Sequence, residues 1–377
     1  MRVAIVRQKY NPHGGAERFI ERAMDALAAT EAVELCVIAR EWTARPGIGF
    51  IACNPPYRTS LGRDRAFAQG VLALLAAPGT RFDIVQSHER IPGLPLFRAG
   101  DGVHATWLEQ RARTLPVWKR LSVAANPYHR YILEAEHAMF LHPALRAVIC
   151  NSRMVRDDIA ARFRVAADRL HVIQNGVDLE TFHPRNAARR DATRAALDLP
   201  GEGSMFLYVG SGFERKGVSR LLDALAQVAA PAFAVIVGED KQRKRYERQA
   251  WRLGLDKRVH FIGARGDLAD LYGAADAFVL PTLYDPLPNA ALEALASGLP
   301  TVTTTQCGAA ELIDTGVNGY VADVLDADAL AHALAALAEP GRAAAMRAAA
   351  RASVLHLAPQ AMAAQLMTLY RGLMAHG

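Results

Sequence analysis

Short runs of apolar, mostly β-branched residues alternate with longer amphipathic stretches along the whole chain. Four of these runs lie in the first half, at residues 3–6, 35–38, 83–86 and 147–150. Five more follow at residues 206–209, 234–237, 259–261, 277–280 and 301–303. Because continuous apolar runs between helices are typical of strands buried on both faces, the pattern predicts parallel sheets built from βαβ units.

The alternation begins again near residue 204, after a segment at residues 199–203 that contains proline and glycine. A chain of 377 residues is long enough for two domains of ordinary size. We therefore predict an α/β protein with two doubly wound, Rossmann-like domains that face each other across a cleft, at residues 1–180 and 181–357. Residues 358–377 are predicted to form a helix that crosses back to the first domain.

The composition favours a globular protein with an anionic partner. Apolar residues make up 51% and charged residues 22%, and no apolar run is long enough to span a bilayer. The net charge of +6 suits an anionic partner, but no zinc-finger spacing or RNA-binding signature points to nucleic acid. Four separated cysteines without a C-x-x-C pair are typical of reduced thiols in a cytoplasmic protein, and we expect no metal site.

Residues 284–294 contain two carboxylates, Asp285 and Glu293, with seven residues between them. The sequence predicts a helix over residues 290–297, with Pro288 before it and Gly298 after it. Free N–H groups at the start of such a helix favour an anion, and a carboxylate nearby can accept hydrogen bonds from sugar hydroxyls. The pair therefore indicates a nucleotide-sugar site. The alternative is an ordinary amphipathic helix with a solvated glutamate.

Glycines stand at two turns between a strand and a helix. The turn at residues 210–217 contains Gly212, Arg215 and Lys216. Its glycines allow a ligand to approach the backbone, and its two cations suit a pyrophosphate. It lacks the third glycine of the dinucleotide-binding fingerprint, and the alternative is a tight turn with solvated cations. The other turn contains Gly14 and Gly15, whose N–H groups would lie at the mouth of the cleft.

Polar residues also follow strand-like segments in the first half, at residues 87–90 and at residues 100–104. Open α/β sheets bind ligands at the carboxyl ends of their strands. Asp101 and His104 could therefore orient or deprotonate an acceptor hydroxyl. The alternative is that both are loop residues with local hydrogen bonds.

Residues 107–130, from Trp107 to Arg130, interleave tryptophan and tyrosine with five basic residues and one acid, Glu109. Basic residues among tryptophans are typical of a segment that binds the surface of an anionic membrane. The alternative is a charged surface helix or a polar loop.

Three motifs in this order resemble those of a known family: Asn175-Gly176-Val177-Asp178, the turn from Gly210 to Gly217, and the segment from Asp285 to Glu293. They resemble the motifs of retaining glycosyltransferases of family 4, which have the GT-B fold, and the resemblance covers nearly the whole chain. The likeness extends to the lipopolysaccharide core glucosyltransferases of the glucosyltransferase I type.

The resemblance implies a role for each candidate residue. Arg215 and Lys216 would bind the donor diphosphate and stabilise it as it leaves. Glu293 would hold the ribose hydroxyls, Asp285 would lie near the donor sugar, and Gly14, Gly15 and Gly212 would line the donor site. Asp101 falls near the polar position of the first domain in this subgroup, and His104 is close to it. Residues 1–180 would then bind the acceptor and residues 181–357 the nucleotide-sugar.

Two positions depart from the family pattern. Asp285 stands where the family usually has Glu, so its carboxylate is one methylene shorter and the sugar contact changes. Ser211 stands where many members have Arg, which leaves Arg215 as the second cation.

By this resemblance the chain is expected to be a metal-independent retaining hexosyltransferase without a cofactor. It would move glucose from UDP-glucose to a heptose of the lipopolysaccharide core, on a lipid-linked acceptor at the cytoplasmic face of the inner membrane. Three alternatives stay open. They are a nucleotide-sugar epimerase of the same fold, a soluble glycosyltransferase with a non-lipid acceptor, and a non-catalytic protein that binds nucleotide-sugars.

Overall fold

The strands of the protein form two separate parallel sheets, one in each of two compact units. The structure, a computed structural model, describes residues 1–8, 33–43 and 45–375. Unit 1 consists of Met1–Gly176 together with Pro359–Gly377, and unit 2 consists of Val177–Ala358. The prediction of two Rossmann-like domains with parallel sheets is confirmed, while the helix predicted near residues 16–27 lies outside the described residues.

Unit 1 has a seven-stranded sheet in the order β3-β2-β1-β4-β5-β6-β7, and every pair in it is parallel. Its strands are β1 (Arg2–Val6), β2 (Glu34–Ala39), β3 (Ile48–Ala52), β4 (Ile84–Ser87), β5 (Leu96–Arg98), β6 (Ala147–Cys150) and β7 (Leu170–Val172). Its described helices are α1 (Ser60–Ala76), α2 (His104–Arg113), α3 (Val117–Ala124), α4 (Pro127–Phe140) and α5 (Arg153–Phe163), with a 3₁₀ turn at Ala167–Arg169.

The last helix of the chain, Pro359–Ala375, covers one face of this sheet. Successive residues of a strand point to opposite faces. Val3 and Ile5 accordingly pack in one cluster with Leu366 and Tyr370 of this helix, while Ala4 and Val6 pack on the other face with α1. The predicted return of the final helix to the first domain is therefore confirmed.

Unit 2 has a six-stranded parallel sheet in the order β10-β9-β8-β11-β12-β13. Its strands are β8 (Met205–Val209), β9 (Phe233–Val237), β10 (Val259–Gly263), β11 (Ala277–Leu280), β12 (Thr301–Thr304) and β13 (Gly319–Ala322). Its helices are α6 (Arg190–Ala196), α7 (Phe213–Lys216), α8 (Val218–Leu225), α9 (Arg243–Arg252), α10 (Leu268–Ala274), α11 (Asn289–Ala296), α12 (Ala327–Ala338) and α13 (Arg342–Ala352), with 3₁₀ turns at Pro184–Arg189 and Gly308–Leu312. The helix Pro359–Ala375, which belongs to unit 1, is α14.

The sheet of unit 2 has the strand order of a Rossmann fold, and the sheet of unit 1 adds a seventh strand at one edge. In such sheets the direction of winding reverses between two neighbouring strands, here β8 and β11 in unit 2 and β1 and β4 in unit 1. The connections that leave these two strands diverge to opposite faces, so a crevice opens at their carboxyl ends. The fold therefore directs attention to the residues that follow these four strands.

The predicted strands match the observed ones in all nine places to within one or two residues. Strands β3, β5, β7 and β13 were not among the predicted apolar runs. Strand β3 is an edge strand with exposed residues, β5 and β7 have only three residues each, and β13 begins with a glycine. None of the four contains the long apolar run that marks a strand buried on both faces.

Candidate functional site in unit 2 and polar strand ends in unit 1

Backbone contacts join the two loops that follow β8 and β11 in unit 2. The Arg215 carbonyl oxygen accepts hydrogen bonds from the Leu283 N–H at 2.8 Å and from the Thr282 hydroxyl at 2.9 Å. Gly217 has a φ of +80°, and a Cβ at this position would overlap the carbonyl oxygen of Pro281. Only glycine fits both the left-handed backbone and this close approach. The turn is therefore fixed by main-chain geometry.

Arg215 and Lys216 lie on this joined backbone. The Arg215 Nε donates to the Tyr284 carbonyl oxygen at 2.8 Å, and the guanidinium lies 5.8 Å from the centre of the Tyr284 ring. The Lys216 Nζ lies 3.4 Å from Asp285 Oδ2, with 23% of the lysine side chain and 13% of the aspartate side chain exposed. The structure thus brings together three predicted site residues, two cations and one acid, at the point where the winding reverses.

The loop after β9 supports the same turn from the other side. Asp240 accepts a hydrogen bond from the Phe213 N–H at 2.8 Å, and the Glu239 N–H donates to the Ser211 hydroxyl at 3.3 Å. Gly238 has a φ of +129°, and a Cβ there would overlap the Gly210 carbonyl. Gly212 has a φ of +77° with nothing near its Cβ position, so this stretch of backbone is not covered by neighbouring atoms.

Asp285 is held by its own backbone as well as by Lys216. Its N–H donates to the Gln306 carbonyl at 3.0 Å, and its carbonyl accepts from the Gly308 N–H at 2.8 Å. Cys307, between these two partners, is buried, and burial followed by the Asp285 charge raises the pKa of its thiol to about 12. Cys307 therefore stays a neutral thiol beside the carboxylate.

Glu293 occupies a different environment from Asp285. Helix α11 is buried along its whole length, and Glu293 is completely buried. The Tyr272 hydroxyl donates to Glu293 Oε2 at 3.3 Å and to the Ala290 carbonyl at 3.0 Å. Because Glu293 is buried, the alternative of an amphipathic helix with a solvated glutamate is wrong. A buried carboxylate requires hydrogen-bond partners, and Tyr272 is one of them.

At the strand ends of unit 1, acids and a cation pair with one another. Arg7 directly follows β1. Its Nη1 lies 3.4 Å from Asp101 Oδ2 and 3.8 Å from Glu89 Oε1. Glu89 also accepts from the Gln8 N–H at 2.8 Å. Burial raises the pKa of Glu89, although Arg7 opposes this shift. The Asp101 side chain is 48% exposed and therefore reachable from solvent.

His104 begins α2 and contacts a second histidine. Its Nε2 lies 3.1 Å from the Nδ1 of His129, and burial lowers the pKa of His129. The buried Glu136 accepts hydrogen bonds from the His104 N–H at 2.9 Å and from the Arg90 Nε at 2.8 Å. Asp101 thus lies in the loop before α2, and His104 is the first residue of α2. The two have different partners, Arg7 for the aspartate and His129 for the histidine.

The segment from Trp107 to Arg130 is helical for most of its length, since it spans most of α2, all of α3 and the start of α4. Helix α3 has no buried residue, and Val117, Trp118 and Leu121 are each 67% exposed. Lys119 and Arg120 lie on the same helix. The alternative of a polar loop is therefore wrong, and α3 is a surface helix that exposes both apolar and basic side chains.

Gly14 and Gly15, the remaining predicted site residues, lie outside the described residues. Sequence reasoning did not single out Tyr272, Asp240, Arg7 and His129 as partners of the site residues. Asp240 and Arg7 follow a buried strand within a few residues, so position alone could have indicated them. Tyr272 and His129 come from helices distant in sequence, and only the fold brings them to Glu293 and His104.

Comparisons with known families agree with this arrangement of strands and turns. Residues 189–353 match the family described as glycosyl transferases group 1, and residues 13–181 match the family described as glycosyltransferase family 4. The two matches together include every strand of both sheets except β1. The family matches and the fold together show the class of two-domain enzymes that transfer a sugar. The chain belongs to the family 4 glycosyltransferases, which have the GT-B fold.

Individual relatives support this assignment along most of the chain. The lipopolysaccharide glucosyltransferase WaaG of Escherichia coli (strain K12) is 27% identical over 320 residues, which are 83% of this chain and 83% of the relative. The D-inositol 3-phosphate glycosyltransferase of Xylanimonas cellulosilytica is 30% identical over 323 residues, 81% of this chain and 76% of the relative.

Solved structures show the same fold. A crystal structure of WaaG, described as a glycosyltransferase involved in lipopolysaccharide biosynthesis, has a TM-score of 0.84 and 25% identity, covering 98% of this chain and 100% of that one. The structure of Anabaena HepE in complex with UDP-glucose has a TM-score of 0.74 and 20% identity, covering 99% of this chain and 100% of that one. Within the residues that the structure describes, no helix is long and apolar enough to cross a membrane.

Proposed function

We propose that this glycosyltransferase moves glucose from UDP-glucose to a heptose of the lipopolysaccharide core, with retention of configuration and without a metal ion or other cofactor. Unit 2 would bind the donor and unit 1 the acceptor. The observation that carries the proposal is the placement of Lys216, Arg215 and Asp285 on backbone that is locked between β8 and β11.

The chemical demand of the reaction is the negative charge that develops on the leaving diphosphate. Preorganised cations stabilise such charge without having to move during the reaction. The position of Lys216 and Arg215 at the switch point supports binding of a diphosphate, since a Rossmann sheet has its crevice there. Lys216 pairs with Asp285 at 3.4 Å. On binding, the diphosphate would take over part of this interaction, and Asp285 would be left to accept a hydrogen bond from the sugar.

Glu293 would hold the ribose hydroxyls of the donor. Its hydrogen bond from Tyr272 fixes one carboxylate oxygen. A carboxylate that is already oriented loses little conformational freedom when a hydroxyl binds to it. Tyr272 would therefore be a positioning residue for the ribose contact, and Tyr272→Phe should weaken donor binding while Glu293→Ala should weaken it further.

The choice of UDP-glucose and of a lipopolysaccharide acceptor rests on the relatives, and the choice of a heptose rests on the resemblance of the motifs. A structure of the same fold binds UDP-glucose, and a relative along most of the chain is a lipopolysaccharide glucosyltransferase. The acceptor would be lipid-linked at the cytoplasmic face of the inner membrane. Helix α3 would contact that anionic surface through Val117, Trp118 and Leu121, which are exposed next to Lys119 and Arg120.

Donor identity is tested by thermal unfolding of the purified protein with UDP-, GDP- and ADP-sugars. A ligand at about a hundred times its dissociation constant adds about 2.7 kcal/mol to the free energy of unfolding. We expect a shift with UDP-glucose that is lost in Lys216→Ala and Glu293→Ala. A shift with a GDP- or ADP-sugar in place of UDP-glucose would contradict the proposed donor.

Transfer is tested with UDP-glucose and a heptose-containing core acceptor, with the product analysed by mass spectrometry and NMR. The expected product carries an α-linked glucose, and its yield is unchanged by a chelator. A β-linked product would contradict retention, and loss of activity in chelator would contradict metal independence. Conversion of the donor to another nucleotide-sugar without an acceptor would instead indicate the epimerase.

Membrane contact through α3 is tested by sedimentation with anionic vesicles. Trp118→Ala and Lys119→Ala should each reduce the bound fraction, because one removes an interfacial ring and the other a cation. Undiminished binding of both variants would favour an acceptor that is not held at a membrane by this helix.

A further inference from the structure

A second surface with exposed basic and aromatic residues lies on unit 2, on the outer side of α9. The segment from Lys241 to Arg258 contains eight basic and two acidic residues, so its net charge equals the +6 of the whole chain. This concentration of charge in eighteen residues is not explained by the donor site described above, whose cations are Arg215 and Lys216.

The inner side of α9 holds the helix on the sheet. Tyr246 and Ala250 are buried, and Gln249 donates to Asp223 at 2.8 Å. Two of the basic residues serve the fold in the same way. Arg243 donates to the Phe261 carbonyl of β10 at 2.8 Å and also pairs with Glu247 at 2.6 Å, and Arg258 donates to the Ala232 carbonyl at 2.7 Å.

The other six basic side chains of the segment are exposed, and within the described part of the chain no salt bridge joins them to a carboxylate. They are Lys241, Lys244, Arg245, Arg248, Arg252 and Lys257. Where hydrogen bonds are present, their acceptors are neutral. Arg248 donates to the Lys244 carbonyl and Arg252 to the Arg248 carbonyl. The positive charge of this surface is therefore not neutralised locally.

Trp251 lies in the middle of this charge. It is 71% exposed, more than any other large apolar side chain in the described ranges. Arg248 and Trp251 follow Lys244 by four and seven positions, which places all three on one face of the helix. Leu253 at the end of the helix is also exposed. A large apolar ring that a folded protein leaves in water among unpaired cations indicates a partner that is both anionic and partly apolar.

We propose that the outer face of α9 binds the surface of a bilayer containing anionic phospholipids, with Trp251 at the level of the headgroups. Charge complementarity favours this partner, since each lysine or arginine near such a surface contributes to binding and tryptophan prefers the interface between headgroups and acyl chains. The choice of a lipid surface over another polyanion rests on the proposed function, whose acceptor is lipid-linked. Unit 2 would then have a membrane contact of its own, carried by residues other than those of α3.

The test is sedimentation of the full-length protein with vesicles of phosphatidylcholine alone and of phosphatidylcholine with phosphatidylglycerol. The variant Lys244→Glu with Arg248→Glu is compared with a matched control, Arg185→Glu with Arg189→Glu, which makes the same change of charge at exposed residues of the same unit. Removing two surface cations should weaken binding to the anionic vesicles by roughly 30-fold, and the reversal of charge should weaken it further. The control should bind like the wild type. Trp251→Ala should weaken binding severalfold.

Unchanged binding of the α9 variant would overturn the proposal, and so would an equal loss in the control, which would show that net charge alone decides. Equal binding of a single-stranded oligonucleotide at the same salt, lost in the α9 variant, would overturn the choice of a lipid surface. Each variant is checked for its thermal shift with UDP-glucose. A normal shift together with unchanged vesicle binding would refute this inference and leave the donor proposal standing.

Discussion

The two units wind their strands in the same order but build the strand ends at the switch point in different ways. In unit 2, main-chain contacts join the loops after β8 and β11, and glycines allow those contacts. In unit 1, one main-chain hydrogen bond, from the His88 N–H to the Val6 carbonyl at 2.9 Å, continues the pairing of β1 and β4. Beyond it, side chains make the contacts: Glu89 accepts from the Gln8 N–H, and Arg7 lies between Glu89 and Asp101. A main-chain turn holds the same shape whatever the neighbouring side chains are, whereas a side-chain network changes with each substitution.

This difference matches what each unit would have to recognise. A diphosphate is the same in every nucleotide-sugar, so a fixed turn with two cations suits it. Acceptors differ among enzymes of one fold, and side chains at strand ends can vary to fit them. The comparison therefore predicts that substitutions in unit 2 act on the leaving group or on stability, and that substitutions in unit 1 act on the acceptor.

The largest expected effect comes from removing a cation of unit 2. Lys216→Ala should lower kcat/KM by about 10²- to 10³-fold, because one charged group that stabilises the leaving diphosphate is lost. Steady-state transfer from UDP-glucose measures this, with Arg342→Ala as the control for loss of an exposed cation in the same unit. Nearly normal turnover in Lys216→Ala would remove the central claim about this site.

A methyl group at the main-chain turn should lower the stability of the protein. Gly217→Ala should lower the free energy of unfolding by about 3 kcal/mol, since the new Cβ would overlap the Pro281 carbonyl in a left-handed backbone. In unit 1, Gly100→Ala has only the Arg98 Nε nearby, at 3.8 Å, and should change stability by less than about 0.5 kcal/mol. Urea unfolding of both variants decides whether the units differ as described, and similar losses would argue against it.

Substitution of the exposed acid in unit 1 should affect transfer and spare the donor. Asp101→Asn is expected to lower kcat by about tenfold to a hundredfold. The upper value of this range equals the smallest rate enhancement that a positioned acid–base group usually contributes. Its thermal shift with UDP-glucose should equal that of the wild type. A loss of donor binding in this variant would mean that Asp101 acts on the donor, which would erase the division between the units.

The smallest effect is a pH dependence from a buried histidine of unit 1. His88 hydrogen-bonds to Gln86 at 2.8 Å, and burial together with the Arg98 and Arg7 charges lowers its pKa. The unfolded chain then binds a proton that the folded chain excludes, so stability falls as pH drops below the ordinary histidine value. At about pH 5.5 the loss is roughly 1 kcal/mol relative to neutral pH. Thermal unfolding of His88→Gln should lack this part of the acid limb, whereas replacing the exposed His332 should leave it in place.

The sequence was sufficient for the two parallel sheets and the turn at residues 210–217, because buried strands and strand-to-helix glycines have a strong local signal. It also placed Lys216 and Asp285 in one site through the order of the motifs. It could not show that they pair directly, since that contact depends on how β8 and β11 come together. Nor did it show that Glu293 is buried beside Tyr272, because helix α11 reads much like an amphipathic helix until the elements that surround it are known.

The packing of helix α14 on unit 1 has a consequence for how the protein is made. Chains emerge from the ribosome with the N-terminal residues first, and domains commonly fold in that order. Here Leu366 and Tyr370 cover the face of the first sheet that carries Val3 and Ile5. That face stays uncovered until α14 has been synthesised, and by then all of unit 2 has already been synthesised. Unit 2 should therefore finish folding before unit 1. The strands of unit 1, although they are synthesised first, should be the ones that depend on chaperones.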